Sequence, residues 1–580
     1  MRRLPLPLRL VLTLLTLVIS RQALASDAQP WMDALGSVAI QDRGRVMPLD
    51  SYARQLAADL TGRQHWSAGR GPEAYSGKNH MELFCDLLFN GQGIVQAQLI
   101  GLENKPFKKL VGLDPERGFF SAMEIASSKG INDLLAAYDE KRRANPDVQA
   151  SRDERRAIEL FNSANRIASL AAGEPLAIVP SEPGKAFLTV GVKSCAPGTE
   201  KVQAALNAIG AARGGSGSMD DAVASLRSAI ESKGQLTQRE SRALSLELFY
   251  NHHDPWSKTE YLYGLAIVCF GLSRLFWRRA MVTVAVVATA LGFFEHLLGI
   301  ALRIAILERA PVSNTFEALL WMGLVAIVLG AGAQLVNRRG YYLFGGVCVA
   351  LASVLFAAMV PLTDRTNSLP AVLRSNYWLI IHVLTIVASY GVLAVAAVLG
   401  HVYMVRDVLF AKAPGADAQA APGIVRSSPL IVQLYRAIQI GLLLLTAGTI
   451  LGGVWAADSW GRFWGWDPKE TWALISIVVY FAVLHARYVR WLRDFGLAAA
   501  SILGFVVIVW TFYGVNYVMA TGLHSYGFGS GGEVWVGIWA AAELVFLALC
   551  WWRYKAAAKT APRALGGAVE RASLTPATKA

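Results

Sequence analysis

Charged residues are scarce in this chain, and cysteines are scarcer still. Only 17% of the 580 residues are charged, whereas 54% are hydrophobic, and the mean hydropathy is +0.38. This composition excludes an ordinary soluble protein and predicts an integral membrane protein with a polar part attached.

The five cysteines form no C-x-x-C pair and no metal-binding spacing. The sequence therefore contains no thiol-based metal motif. Cys85 and Cys195 share the polar part of the chain and would be able to pair in an oxidising compartment. Two separate thiols are an equally good interpretation.

Acidic residues are outnumbered, with 42 Asp and Glu against 55 Lys and Arg, which gives a net charge of +13. Such an excess is one sign of a nucleic-acid partner. Here many of the basic residues cluster in short loops between apolar runs. Membrane topology explains that placement better, so we expect no nucleic-acid partner.

The N-terminal residues 1–25 resemble a secretory signal peptide or an uncleaved N-terminal anchor. Arg2 and Arg3 precede an apolar stretch at 10–19, and Ala23-Leu24-Ala25 fits a cleavage site. Residues 26–257 are polar and mainly helical by pattern, with a possible strand pair within 174–193. We expect them to form an exported, periplasmic domain.

Apolar runs fill residues 258–553 and predict an all-α polytopic membrane fold with about nine transmembrane helices. Residues 554–580 are predicted to be a disordered cytoplasmic tail. The expected spans are 259–277, 281–303, 316–336, 341–361, 378–404, 436–456, 471–490, 497–519 and 534–553.

Arginine and lysine residues orient these spans. The basic loops, which should face the cytoplasm, contain Arg274, Arg278, Arg279, Arg338, Arg339, Arg406, Lys412, Arg487, Arg490, Arg493, Arg553, Lys555 and Lys559. The opposite loops, 304–315, 362–377, 457–470 and 520–533, then face outward, on the same side as the exported domain. We therefore expect a multi-pass protein of the bacterial cytoplasmic (inner) membrane with a cytoplasmic C-terminus.

The external loop 457–472 is the most informative segment. It contains four tryptophans among acids and bases: Trp460, Trp464, Trp466 and Trp472. A flat, broad aromatic ligand at the membrane surface would explain so much aromatic area in a polar loop. The alternative is an interfacial aromatic belt, but belts are spread over many helix ends.

The positions of three histidines relative to this loop indicate different roles. His382 and His524 flank it in sequence at the same membrane face, which is how a protein would hold haem iron axially. His485 lies in the cytoplasmic half of the following span, where a second haem position is expected. His296 and His401 are better explained by interhelical hydrogen bonds.

These residues resemble the WWD signature of haem-handling proteins, most of all that of CcsA (also called ResC), a subunit of the system II cytochrome c synthase. The resemblance covers most of 259–553. It rests on the loop residues Trp460, Gly461, Trp464, Trp466, Asp467, Lys469 and Glu470, on 309–317, on 375–378 with His382, on His485, and on 524–528. The related CcmC and CcmF families match less well.

The resemblance implies a role in cytochrome c biogenesis, with haem b as the substrate. His382 and His524 would be axial ligands of the iron at the outer face, and His485 a ligand within the membrane. The tryptophan loop, including Asp467, Lys469, Glu470 and Trp472, would support the macrocycle, and Arg462 and Lys469 are candidates for the propionates. Thioether attachment to the CxxCH motif of apocytochrome c would make the chain part of a haem lyase. No dedicated catalytic acid or base is identified.

The family also implies partners. Its second transmembrane histidine usually belongs to a CcsB (ResB) part, which is not recognisable here, although residues 44–50 resemble segments that precede CcsA in some longer synthases. We therefore expect a CcsB-type partner, together with apocytochrome c, thiol-reducing proteins and membrane lipid. Two alternatives remain: a haem exporter or relay without ligase activity, and a transporter for another solute, which would leave the loop and the histidines unexplained.

Overall fold

In the computed structural model of the chain, the described residues are 30–62, 79–312 except 147, 149, 183 and 184, then 314–337, 341–359, 377–410, 428–519 and 533–560. They form two compact units. The first contains the described residues up to Glu317, and the second those from Ala318 onward. The predicted signal or anchor at 1–25, His524 and residues 561–580 lie outside the described residues.

The first unit is built from helices with three antiparallel hairpins. Its strands are β1 (Ala39–Asp42), β2 (Arg45–Pro48), β3 (Gln98–Gly101), β4 (Phe119–Ser121), β5 (Leu176–Val179) and β6 (Leu188–Val190), paired in that order. Its helices are α1 (Pro30–Gly36), α2 (Leu49–Thr61), α3 (His80–Phe89), α4 (Gln92–Gln96), α5 (Lys105–Leu110), α6 (Ala122–Ser127), α7 (Lys129–Ala144), α8 (Arg152–Ala171), α9 (Glu200–Arg213), α10 (Met219–Glu231), α11 (Gln238–His253), α12 (Pro255–Leu272) and α13 (Arg278–Leu307).

Local sequence explains where several of these helices begin. Ser151 accepts a hydrogen bond from the Glu154 amide, and the Glu154 side chain accepts one from the Ser151 amide, which starts α8 with a capping box. Further along, α8 buries Leu160, Ala164 and Ile167 against the core. Amphipathic spacing and caps therefore place this helix without any bound group.

The two cysteines of the polar part are separate thiols in this structure. Cys85 is fully buried in α3, and its burial raises the pKa of the thiol to about 12. The Cys85 thiol is therefore protonated at neutral pH and a poor nucleophile.

Two ion pairs of the first unit lie on either side of the predicted boundary at residue 257, and a tyrosine contacts the second pair across it. Arg45, at the start of β2, pairs with Glu247 of α11. Arg303 of α13 donates to Glu317 at 2.8 Å, and these two side chains are 1% and 0% exposed. Tyr250 of α11 lies between the two pairs, with its hydroxyl 3.2 Å from an Arg303 nitrogen. The unit thus extends past the predicted boundary at residue 257.

The second unit consists of membrane-type helices. They are α14 (Thr315–Asn337), α15 (Tyr341–Met359), α16 (Tyr377–Tyr403), α17 (Pro429–Trp460), α18 (Pro468–Tyr488), α19 (Asp494–Val509) and α20 (Glu533–Thr560), with α14 beginning in the first unit. Two π-helices extend α16 and α19, at Met404–Leu409 and Trp510–Met519. Local π-helix widens the backbone and often occurs at functional sites.

The all-α polytopic fold is confirmed. A helix occupies each of the nine predicted span positions, and seven of the described helices are long and apolar enough to cross a membrane. α15 is apolar but shorter, and α12 is not among the seven. The number nine therefore stays a prediction. The last helix continues to Thr560, so residues 554–560, assigned to the tail, are helical.

Candidate functional site

The tryptophan loop is held by hydrogen bonds at the start of α18. Asp467 caps this helix by accepting from the Glu470 amide at 2.9 Å, and Pro468 occupies the first helical position. Glu470 accepts from the Gly465 amide at 2.6 Å and from the Asp467 amide at 3.4 Å. The two acids of the motif therefore shape the loop, and a ligand need not contact them.

Trp466 has an unusual backbone. Its φ of 57° lies in the left-handed region that favours glycine. The fold keeps this conformation, which costs about 1–2 kcal/mol for a residue with a Cβ, and leaves the indole 68% exposed. Strain maintained to expose a large aromatic side chain suggests a binding role.

The four tryptophans of the loop take part in three aromatic pairs. Trp464 meets Trp466 edge to face at 5.9 Å between ring centroids, Trp460 meets the buried Trp455 at 4.5 Å, and Trp472 meets Trp510 at 5.8 Å. The Trp464 Nε1 atom is buried and has no hydrogen-bond partner among the described residues. This N–H is available to an acceptor on a ligand, such as a carboxylate oxygen.

His382 lies at the base of the loop. Its Nδ1 atom is 2.7 Å from the Gly448 carbonyl oxygen, which only accepts, so Nδ1 carries a proton. Histidines that bind metals commonly have this arrangement. A Cβ at Gly452 would lie 2.6 Å from the His382 ring, and one at Gly453 would lie 2.5 Å from the Phe463 ring of the loop. Glycines of α17 therefore bring His382 and the loop to one end of the helix.

Lys469 lies between helices in this structure. Its ammonium donates to Asn516 Oδ1 at 3.0 Å and lies 3.5 Å from the Phe512 carbonyl oxygen. Both acceptors belong to the π-helix Trp510–Met519. The contact joins the start of α18 to the segment that leads toward His524. The Arg462 side chain lies across Gly465, where a Cβ would overlap its guanidinium.

His485 is far from this end of the unit. It lies in the last turn of α18, about 27 Å along the helix from Asp467 at 1.5 Å per residue. Its side chain is exposed, and its ring makes no hydrogen bond to any residue that the structure describes. The hydrocarbon core is about 30 Å thick, so His382 and His485 belong to separate positions.

Two further histidines of the apolar helices have protein partners. His296 is buried in α13, with the Tyr263 hydroxyl 3.2 Å from Nδ1 and Trp256 edge to face. His401 contacts Glu543. His524 lies outside the described residues, so its predicted meeting with His382 stays a prediction.

Sequence analysis missed Gly448, Gly452 and Asn516. Gly448-x-x-x-Gly452 has the small-x-x-x-small spacing that lets membrane helices approach closely, so this signal was present in the sequence. No local pattern indicated that Lys469 reaches Asn516.

The arrangement fits haem on three observations. His382 has its ring oriented by a hydrogen bond from Nδ1 to a backbone carbonyl, Trp466 offers an exposed aromatic face, and the Trp464 N–H suits a carboxylate acceptor. A macrocycle with an iron and two propionates needs these three kinds of contact.

Comparisons with known proteins point to the same region. The family described as "Cytochrome C assembly protein" matches residues 312–524. "Cytochrome c biogenesis protein CcsA" of Synechococcus sp. (strain WH7803) is 36% identical over 254 residues, which cover 37% of this chain and 77% of that protein. The protein of the same name from Synechococcus sp. (strain CC9311) is 33% identical over 305 residues, covering 46% of this chain and 96% of its own length.

"Protein NrfI" of Wolinella succinogenes is 37% identical over 254 residues, 41% of this chain. The chain spans only 25% of the length of NrfI. The similarity therefore covers a part of that longer protein.

Proposed function

The chain belongs to the CcsA family of cytochrome c biogenesis proteins, and we propose that it holds haem b at the outer face of the bacterial cytoplasmic membrane for attachment to apocytochrome c. The observation that carries this proposal is His382, whose tautomer is set by the Gly448 carbonyl at the base of the tryptophan loop. His382 would ligate the iron through Nε2, and His524 would ligate it from the opposite side.

The chain's own groups would position the haem. The exposed face of Trp466 would support the ring, and the Trp464 N–H would donate to a propionate. Asp467 and Glu470 would act through the loop, because their hydrogen bonds hold the backbone on either side of Trp466. Fixed geometry of this kind lowers the entropic part of a reaction barrier.

The reaction itself would use groups of the substrates. Each thiol of the CxxCH motif adds across one vinyl group of haem: sulfur bonds to one carbon, and hydrogen goes to the other. The addition needs no oxidant, but it needs reduced thiols, which explains a requirement for thiol-reducing proteins. The chain would contribute ligation and position, as proteins do for cofactor chemistry.

His485 would serve an earlier step, the passage of haem through the membrane from the cytoplasmic side. Its exposed ring, without a hydrogen-bond partner among the described residues, suits a ligand position completed from outside this chain. A CcsB-type membrane protein would supply the second imidazole there. In this arrangement the chain is one subunit of a haem lyase.

The test measures the haem that the full wild-type chain and its variants bind when each is co-expressed with a CcsB-type protein. His382→Gly should abolish cytochrome c maturation and remove the six-coordinate haem spectrum, and added imidazole should restore part of that spectrum. His485→Ala should lower the haem content of the whole complex. His252→Ala, on the exposed end of α11, is the control and should change neither.

A wild-type spectrum in His382→Gly would contradict the axial assignment. Haem that is bound normally but never attached to apocytochrome c, even with the CcsB-type protein and reduced thiols, would favour a relay over a lyase.

A further inference from the structure

A histidine and a glutamate meet inside the second unit, away from the tryptophan loop. His401 lies in the last turn of α16, and Glu543 lies in α20 and is buried. The His401 Nε2 atom is 2.8 Å from Glu543 Oε2, and its Nδ1 atom is 2.9 Å from the Ala397 carbonyl oxygen. The imidazole also stacks on Phe546, with 5.2 Å between ring centroids. A titratable pair thus joins two helices of membrane type.

The two contacts of the imidazole determine how many protons the pair holds. The Ala397 carbonyl oxygen only accepts, so Nδ1 must carry a proton. The bond at Nε2 then forms in two ways: an imidazolium donates to a carboxylate, or a carboxylic acid donates to a neutral imidazole. Both forms contain the same number of protons and have zero net charge.

Removal of one proton breaks this arrangement. The Nε2 lone pair would then face an oxygen of the buried Glu543 carboxylate at hydrogen-bond distance, and the pair would have a net charge of −1. An unpaired charge is costly in a membrane interior. Ionisable residues within membrane helices are also rare and tend to have functions.

The other charged groups nearby have different partners. Arg406 and Asp407, which follow α16, hydrogen bond to each other, and Asp494 of α19 accepts from Arg487. The remaining charged side chains described on these two helices and on the helices packed against them are Glu317, Arg436, Asp458, Arg553 and Lys555.

We propose that His401 and Glu543 form a proton-binding site that holds one proton and keeps the end of α16, with the π-helix Met404–Leu409 that follows it, packed against α20. Loss of that proton would separate the two helices at this level. The site differs from both haem positions, because both imidazole nitrogens are already engaged in hydrogen bonds. It is defined by the protein alone, so it is independent of the proposed haem chemistry.

The helix α16 would then carry residues of two different sites. The same continuous helix carries His382 near its first turn and His401 in its last turn. Nineteen residues separate them, about 28 Å along the axis. A change in packing at His401 would therefore act on the helix that presents His382, and proton binding would influence the outer site without contact to a ligand.

The test measures amide hydrogen exchange of α20 in the full chain, without haem, over a series of alkaline pH values. The rates are corrected for the intrinsic pH dependence of exchange. Exchange reports the equilibrium constant for local opening of α20. If opening is linked to loss of one proton, this constant rises about tenfold per pH unit above the pH at which the proton leaves. Glu543→Gln preserves a hydrogen bond to neutral His401 without a titrating proton, so its opening constant should not change with pH.

Two further variants complete the design. His401→Phe combined with Glu543→Leu replaces the pair by apolar groups and should also be independent of pH, which covers the case in which Glu543→Gln folds poorly. Asp494→Asn removes another buried carboxylate of the same unit and should keep the wild-type pH slope. A flat wild-type profile, or the same slope in wild type and Glu543→Gln, would overturn the proposal.

Discussion

The two units treat polar and aromatic side chains in opposite ways. In the first unit, charged groups are buried against each other, as Arg303 and Glu317 show with 1% and 0% exposure. In the second unit, the groups of greatest chemical interest are turned outward. Trp466 is 68% exposed with a strained backbone, and the His485 ring is exposed and has no hydrogen-bond partner among the described residues.

The difference separates stability from function. Ion pairs such as that of Arg303 and Glu317 fix the positions of helices in the first unit. The exposed tryptophan and histidine of the second unit contribute less to folding, and they leave exposed surface for a ligand. We therefore expect substitutions in the first unit to change stability, and those in the second to change haem binding.

The largest effect should come from breaking the buried pair of the first unit. Glu317→Ala would leave the buried Arg303 and the half-buried Arg309 without the carboxylate they face at 2.8 and 3.7 Å. Loss of one partner of a buried pair costs about 3–5 kcal/mol. Unfolding of the full chain in detergent should show this as a large drop in stability.

The matched control is Glu116→Ala, which removes the exposed pair of Lys105 and Glu116. Exposed pairs contribute about 0–1 kcal/mol. Equal losses of stability in Glu317→Ala and Glu116→Ala would show that the first unit does not depend on its buried charges.

A smaller effect, on haem alone, should follow from Gly452→Ala in the second unit. The new methyl group would lie 2.6 Å from the His382 ring and displace it from the Gly448 carbonyl. Disturbing the groups that orient a metal ligand typically lowers affinity about 10–100-fold. Haem titration of the complex should show such a loss, with little change in thermal stability.

Gly537→Ala is the control for this substitution, because a Cβ at residue 537 meets nothing within 4 Å. It should leave haem affinity unchanged. If Gly452→Ala binds haem as well as Gly537→Ala does, the position of the His382 ring against α17 is not important for the site.

Hydropathy and motif spacing predicted the positions of the membrane helices and the loop, because both are local properties of the sequence. The caps of α18 were also readable, since Asp467, Pro468 and Glu470 follow helix-start rules. The contacts between helices could not be predicted, because they depend on the rotation of each helix about its axis and on its depth in the membrane. Lys469 meets Asn516, and His401 meets Glu543 across 142 positions. Residue propensities also do not predict the left-handed backbone at Trp466, because the surrounding hydrogen bonds impose it.

The smallest expected loss of stability comes from replacing a buried carboxylate in the first unit. Its pH dependence tests whether the ion pairs of this unit make stability depend on pH. Asp50 of α2 is buried, which by itself raises the pKa of the carboxyl group. The hydrogen bond from His80 at 2.6 Å and the Arg54 guanidinium at 2.8 Å outweigh burial and hold that pKa well below its usual range. A lowered carboxyl pKa in the folded protein adds stability above the unfolded pKa of about 3.9, and that stability is lost as pH falls further.

Asp50→Asn should reduce the stability of α2 by about 1 kcal/mol near neutral pH, the value of a typical hydrogen bond. In acid the loss should disappear, so that wild type and variant converge. Hydrogen exchange of residues 49–61 measures both, with Asp133→Asn on the exposed face of α7 as the control. A constant difference between wild type and Asp50→Asn from neutral pH to acid would mean that the Asp50 charge does not stabilise this unit, and the comparison between the two units would then rest on the arginine pairs alone.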